Sequence, residues 1–478
     1  MPKKPTTPTT RRKADNDMTR REAVKVAGAT TAAVAVASVV DGFPGIQKVR
    51  AANSVVNYAV IGTGGRGQYH LKHWKTVDGA KCIAICDVDD AALKKGLEEA
   101  PDKPQTYKDY RELLGRKDID AVQIATPLYT HFEITRDALL AGKHVFCEKS
   151  LVFKPEEIHA LRKLCHERPK QVMQVGLQRR YSEFYKTAKQ MIDKGMIGDV
   201  THAYAQWHRN PGWTWRANNW RLFRKYSGGL IAELGSHQID VADWFFGATP
   251  EFVMGVGGLD YHKDGRDVYD NCQMIFKYPK GQKLIASYIS TNKHLAMFQG
   301  QRTEFGESFF GTQGTIEITV GTDNEPALGL WYYEPGPKVD AAKKKEKEKA
   351  VATSASLLST GKGGRPLPIL LDKDQVTDKD SFLSKEMKFA RRWLYQKGVM
   401  LPEETRNPVD VQLEEFLDSI RTGKKPKADL EVGLADSAAV ILAHLAIDEG
   451  RRVQFDEINK MGVSAPAGAP AAAPVKKG

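Results

Sequence analysis

The stretch Val55-Val56-Asn57-Tyr58-Ala59-Val60-Ile61-Gly62-Thr63-Gly64-Gly65-Arg66-Gly67 constrains this chain more than any other. A β-branched apolar run ends in Gly62-x-Gly64-x-x-Gly67, and Gln68 to Trp74 can begin a helix, so the order is strand, glycine turn, helix. In such a unit the first glycine allows the tight turn and the second lets backbone N–H groups approach a pyrophosphate. The third lets the helix pack on the strand, with its N-terminus toward the anion. The next strand, from Lys81 to Cys86, ends at Asp87, about 20 residues past the last glycine, where an acid binds the adenosine ribose hydroxyls. Asp87 favours NAD because a 2′-phosphate would meet a like charge, although a neighbouring Arg or Lys would admit NADP.

The pattern continues as alternating strands and helices. Helices are expected from Ala91 to Ala100, Tyr107 to Leu114, His131 to Ala141 and Glu156 to Glu167. Strands are expected at Ala121 to Ala125, His144 to Cys147 and Gln171 to Gly176. Ligands of open α/β sheets sit outside the carboxyl ends of the strands, and Gly62, Asp87, Thr126 and Lys149 all fall there. The expected architecture is therefore α/β: a Rossmann dinucleotide-binding domain over residues 53–176, then an α+β domain with a mostly antiparallel open sheet over 177–335. The second sheet rests on alternating runs at Val200 to His208, Glu251 to Gly257, Asn271 to Tyr278, Lys283 to Thr291, Thr303 to Phe310 and Thr315 to Val320. A Lys/Gly-rich insertion (336–402), C-terminal helices (403–460, with Val409 to Thr422 and Gly433 to Gly450 helical) and a disordered Ala/Pro tail (461–478) complete the division.

With 478 residues and 41% apolar residues, the chain can build two cores. Its net charge of +12 is unevenly placed. Residues 1–52 carry ten Lys/Arg against four acids, and the run Lys343-Lys344-Lys345-Glu346-Lys347-Glu348-Lys349 reads as a solvated linker, so no nucleic-acid partner is inferred. Thr19-Arg20-Arg21-Glu22 before an Ala/Val/Thr segment to Val40, then Val49-Arg50-Ala51, resembles a twin-arginine export signal and implies the twin-arginine machinery as partner and an exported, periplasmic location. The apolar part is too short and too poor in Leu for a stable membrane span. The five cysteines, Cys82, Cys86, Cys147, Cys165 and Cys272, suggest neither a disulfide framework nor a metal site.

The sharpest feature beyond residue 176 is Gly228-Gly229-Leu230-Ile231-Ala232-Glu233-Leu234-Gly235-Ser236-His237-Gln238-Ile239-Asp240. On a helix Glu233, His237 and Asp240 share one face, which reads either as a tuned general base or as a capped helix with one buried, satisfied histidine. Aromatic and basic residues ahead of it, among them Trp207, Asn210, Trp213, Trp215, Trp220 and Arg221, suit either a sugar cleft or loop packing.

Taken together, Gly62 to Gly67, Asp87, Thr126-Pro127 with His131, Glu148-Lys149, Gly176 with Arg179-Arg180, and His237-x-x-Asp240 resemble the Gfo/Idh/MocA family over about residues 54–333 and the helices from Val409 to Phe455. The resemblance implies a cofactor site made by Gly62, Thr63, Gly64, Gly65, Arg66, Gly67, Asp87, Thr126, Pro127, His131 and Glu148. It implies catalysis by Lys149 and His237 with Glu233 nearby and Asp240 orienting His237. Trp207, Trp220 and Arg221 are the candidate substrate contacts of the aromatic and basic set above, and Arg179 with Arg180 suits either substrate or the domain interface. Ser150 stands where the family carries Pro, so the placement of Lys149 is expected to be looser. Glu233 for the Asp of several members shifts a carboxylate by about a bond length.

The implied activity is NAD(P)-dependent oxidation of a sugar, polyol or derivative. A redox-neutral glycosidase or lyase, and a non-catalytic sugar- or cofactor-binding protein, are the alternatives. Export favours tightly bound NAD that is regenerated in place, because no soluble NAD pool is evident outside the cytoplasm. By analogy with the family the chain forms a homo-oligomer.

Overall fold

A computed structural model describes residues 55–208, 219–291, 305–319, 329–333 and 406–461, with isolated positions between 377 and 400. The export-type leader, most of the 336–402 insertion, the tail after 461, and Asn210, Trp213 and Trp215 lie outside the described residues.

The first sheet holds β1 (Val56–Ile61), β2 (Ala80–Cys86), β3 (Gln105–Tyr107), β4 (Ala121–Ile124), β5 (His144–Cys147) and β6 (Met173–Val175) in the order β3-β2-β1-β4-β5-β6. Every pairing is parallel. The connecting helices are α1 (Gly65–Trp74), α2 (Asp90–Glu99), α3 (Tyr110–Leu114), α4 (His131–Leu140) and α5 (Pro155–His166). A parallel sheet is covered on both faces, so its strands read as continuous apolar runs, and all four residues of β4 are buried. Local chemistry starts the helices: Asp89 accepts from the Ala92 N–H at 2.8 Å, and Pro155 opens α5 with Glu157 bonded back to Phe153 and Lys154.

The helix expected from Tyr107 to Leu114 is corrected. Gln105–Tyr107 pairs with Ala84 to Cys86 as a strand, and the helix starts only at Tyr110, behind Asp109, whose side chain accepts from the Arg111 N–H. Three residues are too short a run for alternation to register.

After α6 (Glu183–Asp193) comes a mostly antiparallel sheet in the order β14-β13-β12-β11-β7-β10-β9-β8-β15. Its strands are β7 (Val200–His208), β8 (Phe252–Gly258), β9 (Asn271–Lys277), β10 (Lys283–Ile289), β11 (Phe305–Gly311), β12 (Gly314–Thr319), β13 (Gly329–Tyr333), β14 (Val399–Met400) and β15 (Val453–Gln454). Only β7 and β10 pair in parallel. Cys272, Met274 and Phe276 face inward with Leu284, Ala286 and Tyr288, while Tyr204, Met254, Val256 and Ile275 are exposed. Helix α7 (Ser236–Phe246) lies on the inner face, its Gln238 amide donating to the Gln206 and Gly306 carbonyls.

The C-terminal helices tie the two sheets together. In α8 (Pro408–Thr422), Gln412 donates to the Val175 carbonyl and its own carbonyl accepts from Gln174, while Asp410 bonds His73 of α1. Helix α9 (Leu430–Glu449) is long and apolar enough to cross a bilayer, but it is largely buried as a core helix. It packs so closely that a Cβ at Gly433 would lie 2.4 Å from Val175. This brace sets the carboxyl ends of the first sheet against α7.

Candidate active site

The carboxyl ends of β1, β2, β4 and β5 open onto a cleft of about 640 Å3 whose far wall is the segment leading into α7. At its outer end the glycine turn is built by exclusion. Gly62 has φ +91°, and a Cβ there would lie 2.7 Å from the Ala125 carbonyl carbon. A Cβ at Gly67 would lie 1.9 Å from the Gly62 oxygen, so α1 seats directly on the turn. At Gly64 and Gly65 nothing lies within 4 Å of such a Cβ. Both glycines face the cleft, and α1 begins there with no side-chain cap and no acid in its first turn. Free N–H groups at a helix N-terminus with open space before them suit a pyrophosphate.

Asp87 is held from behind. One carboxylate oxygen accepts from the Thr63 N–H at 2.7 Å and the Thr63 hydroxyl at 3.3 Å, and the other accepts from the Asp89 N–H at 2.9 Å. Thr63 itself is fully buried, its carbonyl accepts from the Gln68 side chain at 2.7 Å, and it does not line the cleft. Lys108 also lines the cleft beside Asp87, but it pairs with Asp90 at 2.5 Å. Thr126 and Pro127 form the floor past β4.

Glu148 and His131 line the same cleft, and the polar atoms of both also bond the protein. One Glu148 oxygen accepts from Arg66 Nε at 2.8 Å and from His70 Nε2 at 2.6 Å, and a Cβ at Gly176 would strike the other at 2.5 Å. Burial opposes ionisation of Glu148, but Arg66 and His70 hold its pKa well below the carboxylate range. Burial and Arg66 push His70 down to about 4, so His70 is neutral and donates. The result is a bracket from the glycine turn to the end of β5. The His131 ring nitrogens lie 2.8 Å from the Ser150 carbonyl oxygen and 2.9 Å from that of Thr126.

At the inner end Lys149 is half-buried, with Nζ donating to the Ala232 carbonyl at 3.2 Å and the Glu233 carbonyl at 2.5 Å. The looseness expected from Ser150 is absent: Ser150 is 2% exposed and its carbonyl is held by His131. The backbone that receives Lys149 is not α-helical. Ile231–Gly235 is a π-turn, with the Ser236 N–H reaching back to the Ile231 carbonyl, and only from Ser236 does α7 begin. The widened turn leaves the Ala232 and Glu233 carbonyls available to the ammonium. Glu233 and His237 therefore do not follow the simple helical spacing expected of them, though both line the cleft. Burial lowers the Lys149 pKa, opposed by Glu233 and Glu148. Burial, then Lys149 and Arg179, push His237 far below its ordinary value, so its imidazole is neutral, and its buried Nδ1 has no hydrogen-bond partner among the described residues.

No hydrogen bond joins Asp240 to His237 among the described residues. The Asp240 Oδ1 accepts from Arg180 at 2.7 and 2.8 Å, and its buried Oδ2 has no described partner. The neighbouring loop supplies Arg180 as the partner of this carboxylate instead. Arg179 pairs with buried Glu307, which also accepts from the Tyr185 hydroxyl at 2.7 Å, and it does not line the cleft. Trp207 sits between Phe305 and His237, with ring centroids 4.3 and 6.3 Å away, and supports the histidine from outside the cleft lining. Trp220 and Arg221 do reach the cleft. The guanidinium lies 4.2 Å from the Trp220 ring centroid, and its Nε is 3.2 Å from the Glu233 carboxylate.

Gln178, Tyr110, Tyr129 and Glu133 line the cleft as well and were missed. Gln178 follows β6, so the strand-end rule that found Lys149 would have found it.

A profile described as an oxidoreductase family with an NAD-binding Rossmann fold matches residues 56–176, and one described as the GFO/IDH/MocA C-terminal domain matches residues 185–317. The chain is 34% identical to the inositol 2-dehydrogenase of Gluconacetobacter diazotrophicus over 39% of its own length and 52% of that protein. It is 28% identical to the 2,7-anhydro-N-acetylneuraminate hydratase of Mediterraneibacter gnavus, over 55% and 67%. The aldose-aldose oxidoreductase of Caulobacter crescentus has the same fold, with a TM-score of 0.62 at 19% identity over 84% of this chain and 99% of that one. The sequence match spans about half the length of several of the curated relatives. The two profiles together take in more than half of the chain, from β1 into β12, and the chain belongs to the Gfo/Idh/MocA family.

Proposed function

We propose that this chain is an NAD(P)-dependent oxidoreductase that transfers hydride between a carbon bearing a hydroxyl, on a sugar, polyol or derivative, and a nicotinamide. The observation that carries this is convergence: one cleft has an uncapped helix N-terminus and Asp87 at its outer end, and Lys149 with a neutral His237 at its inner end.

The residues present fit a dinucleotide. Gly64 and Gly65 leave room for an anion at the start of α1, and Asp87 keeps lone pairs on both oxygens for ribose hydroxyls. The bound nicotinamide supplies the hydride acceptor. The chain's own work is with the proton and the developing charge. Depressed basicity leaves His237 unprotonated near pH 7, ready to take the hydroxyl proton. Two of the three N–H bonds of Lys149 are committed to the Ala232 and Glu233 carbonyls, and the third is left for the substrate oxygen, where it stabilises a developing alkoxide. Glu233, paired with Arg221 over Trp220, is set to bind a second hydroxyl beside an indole face.

The second reading is a redox-neutral reaction in which the hydride returns to the same substrate. The hydratase name of the Mediterraneibacter gnavus relative supports it, as does the export-type leader, and tightly held NAD belongs with it. Export by the twin-arginine route to the periplasm, and pairing of the exposed face carrying Tyr204, Met254, Val256 and Ile275 with a second copy, complete the proposal.

Two measurements test it. His237→Ala is expected to lower turnover by roughly 10²- to 10⁴-fold while leaving cofactor binding intact, and unchanged turnover would refute the assignment. Chromatography of the small molecules released on denaturing the folded protein separates the two readings. Near-stoichiometric NAD(H) fits the closed cycle, and an empty protein that binds NAD reversibly fits an ordinary dehydrogenase.

A further inference from the structure

We propose that His131 is a positioning residue doubly protonated at neutral pH, an imidazolium that staples the Ser150 carbonyl, one residue past Lys149, to the Thr126 carbonyl at the end of β4. The part that concerns Lys149 rests on the reading of Lys149 given above; the protonation state does not.

Two carbonyl oxygens face the ring nitrogens of His131. Nδ1 lies 2.8 Å from the Ser150 oxygen and Nε2 lies 2.9 Å from the Thr126 oxygen. A carbonyl oxygen only accepts, and a neutral imidazole carries one N–H. In either neutral tautomer one ring lone pair would face a carbonyl lone pair at hydrogen-bond distance, in a residue 2% exposed. With both nitrogens protonated, both contacts become charge-assisted donations.

Two forces oppose the cation. His131 is the first residue of α4, where the helix dipole disfavours positive charge, and burial by itself would lower its pKa. The Cys147 sulfur beside it and the two carbonyls outweigh burial and push it up to about 9. The other charged groups nearby in the chain are committed elsewhere: Glu148 to Arg66 and His70, Lys149 to the π-turn carbonyls, and Glu133 to Arg111.

The mechanical consequence follows from where the two carbonyls sit. Thr126 belongs to the rigid floor past β4, and Ser150 belongs to the segment that carries Lys149. A cation between them ties the height of Lys149 to the sheet by two charge-assisted bonds. This is the restraint that Pro at position 150 would have supplied through its ring.

Neutron diffraction from crystals of the full chain in D2O at pH 7.5 reads the protonation state directly. Deuterium is expected on both ring nitrogens of His131, and deuterium on only one overturns the proposal whether or not the chain oxidises any sugar. Positioning is read from X-ray structures of the same protein at pH 7 and above pH 10, and of His131→Gln. Loss of the second proton or of the ring is expected to free one carbonyl and displace Lys149 Nζ from the Ala232 and Glu233 oxygens. Should His131→Gln fold, its kcat is expected to fall about tenfold or more, with cofactor affinity kept. Lys149 unmoved at high pH overturns the positioning role, and it does so without reference to turnover.

Discussion

The two ends of the cleft are built on opposite principles. The outer end is backbone: glycines that admit no Cβ, a helix start without a cap, and one acid held from behind by N–H groups. The inner end is side chain: a half-buried lysine, a neutral histidine with an unpartnered nitrogen, and carboxylates drawn off to Arg180 and Arg221. The difference teaches why one fold serves many substrates. Backbone geometry recognises what all dinucleotides share, whereas a buried set of titratable groups can be retuned by one substitution in a neighbouring loop.

The largest expected effect breaks the backbone end. Gly67→Ala puts a Cβ 1.9 Å from the Gly62 oxygen, which neither α1 nor the turn can yield cheaply, and it is expected to cost about 3 kcal/mol of stability as well as cofactor binding. Gly64→Ala meets nothing within 4 Å, so it is expected to keep the melting temperature and weaken only the binding of NAD. Calorimetry and a binding isotherm on both variants check this, and equal loss of stability in the two would remove the distinction.

Buried histidines sharpen the comparison through pH. His70 is depressed from 6.5 to about 4, so its contribution, about 3 kcal/mol, is present above pH 6.5 and is lost as pH falls toward 4. His131 is raised to about 9, so its contribution is full below pH 6.5 and is lost as pH rises through 9. Between them these two histidines place the stability maximum near pH 6.5. The melting temperature of His70→Gln is expected to fall less steeply on the acid side than that of the parent, and parallel curves would contradict the assignment.

The smallest expected effect falls on turnover in Asp240→Asn. With Asp240 bonded to Arg180 and not to His237, kcat is expected to stay within about threefold, against the loss of about 10⁴ that follows removal of an acid that orients a catalytic histidine. Steady-state kinetics decide between the two.

Much of the first domain was legible because its signals are local. Gly62, Gly64, Gly67 and Asp87 are demanded by turn geometry and like-charge logic within one strand-turn-helix unit, and a buried parallel strand announces itself by apolar continuity. Thr126 and Lys149 followed from their place at strand ends. Six of the nine strands of the second sheet were readable from alternation, Val200–His208 to the residue, while Gly329–Tyr333, Val399–Met400 and Val453–Gln454 were not.

What the chain's order could not decide was partnership. Asp240 lies three residues from His237 and would bond it on spacing alone, yet Arg180, brought in by the loop after β6, takes it. Arg179 looked free and is consumed by Glu307, 128 positions away. The π-turn at Ile231–Gly235 has no signature in apolar periodicity, and its carbonyls meet the Lys149 ammonium only through the fold. The sequence by itself determined where backbone must bend and where apolar faces must turn inward, since those depend on neighbours along the chain. Only the tertiary structure decided which charge meets which, because Coulomb and hydrogen-bond energies depend on distance in space, and it is folding that sets those distances.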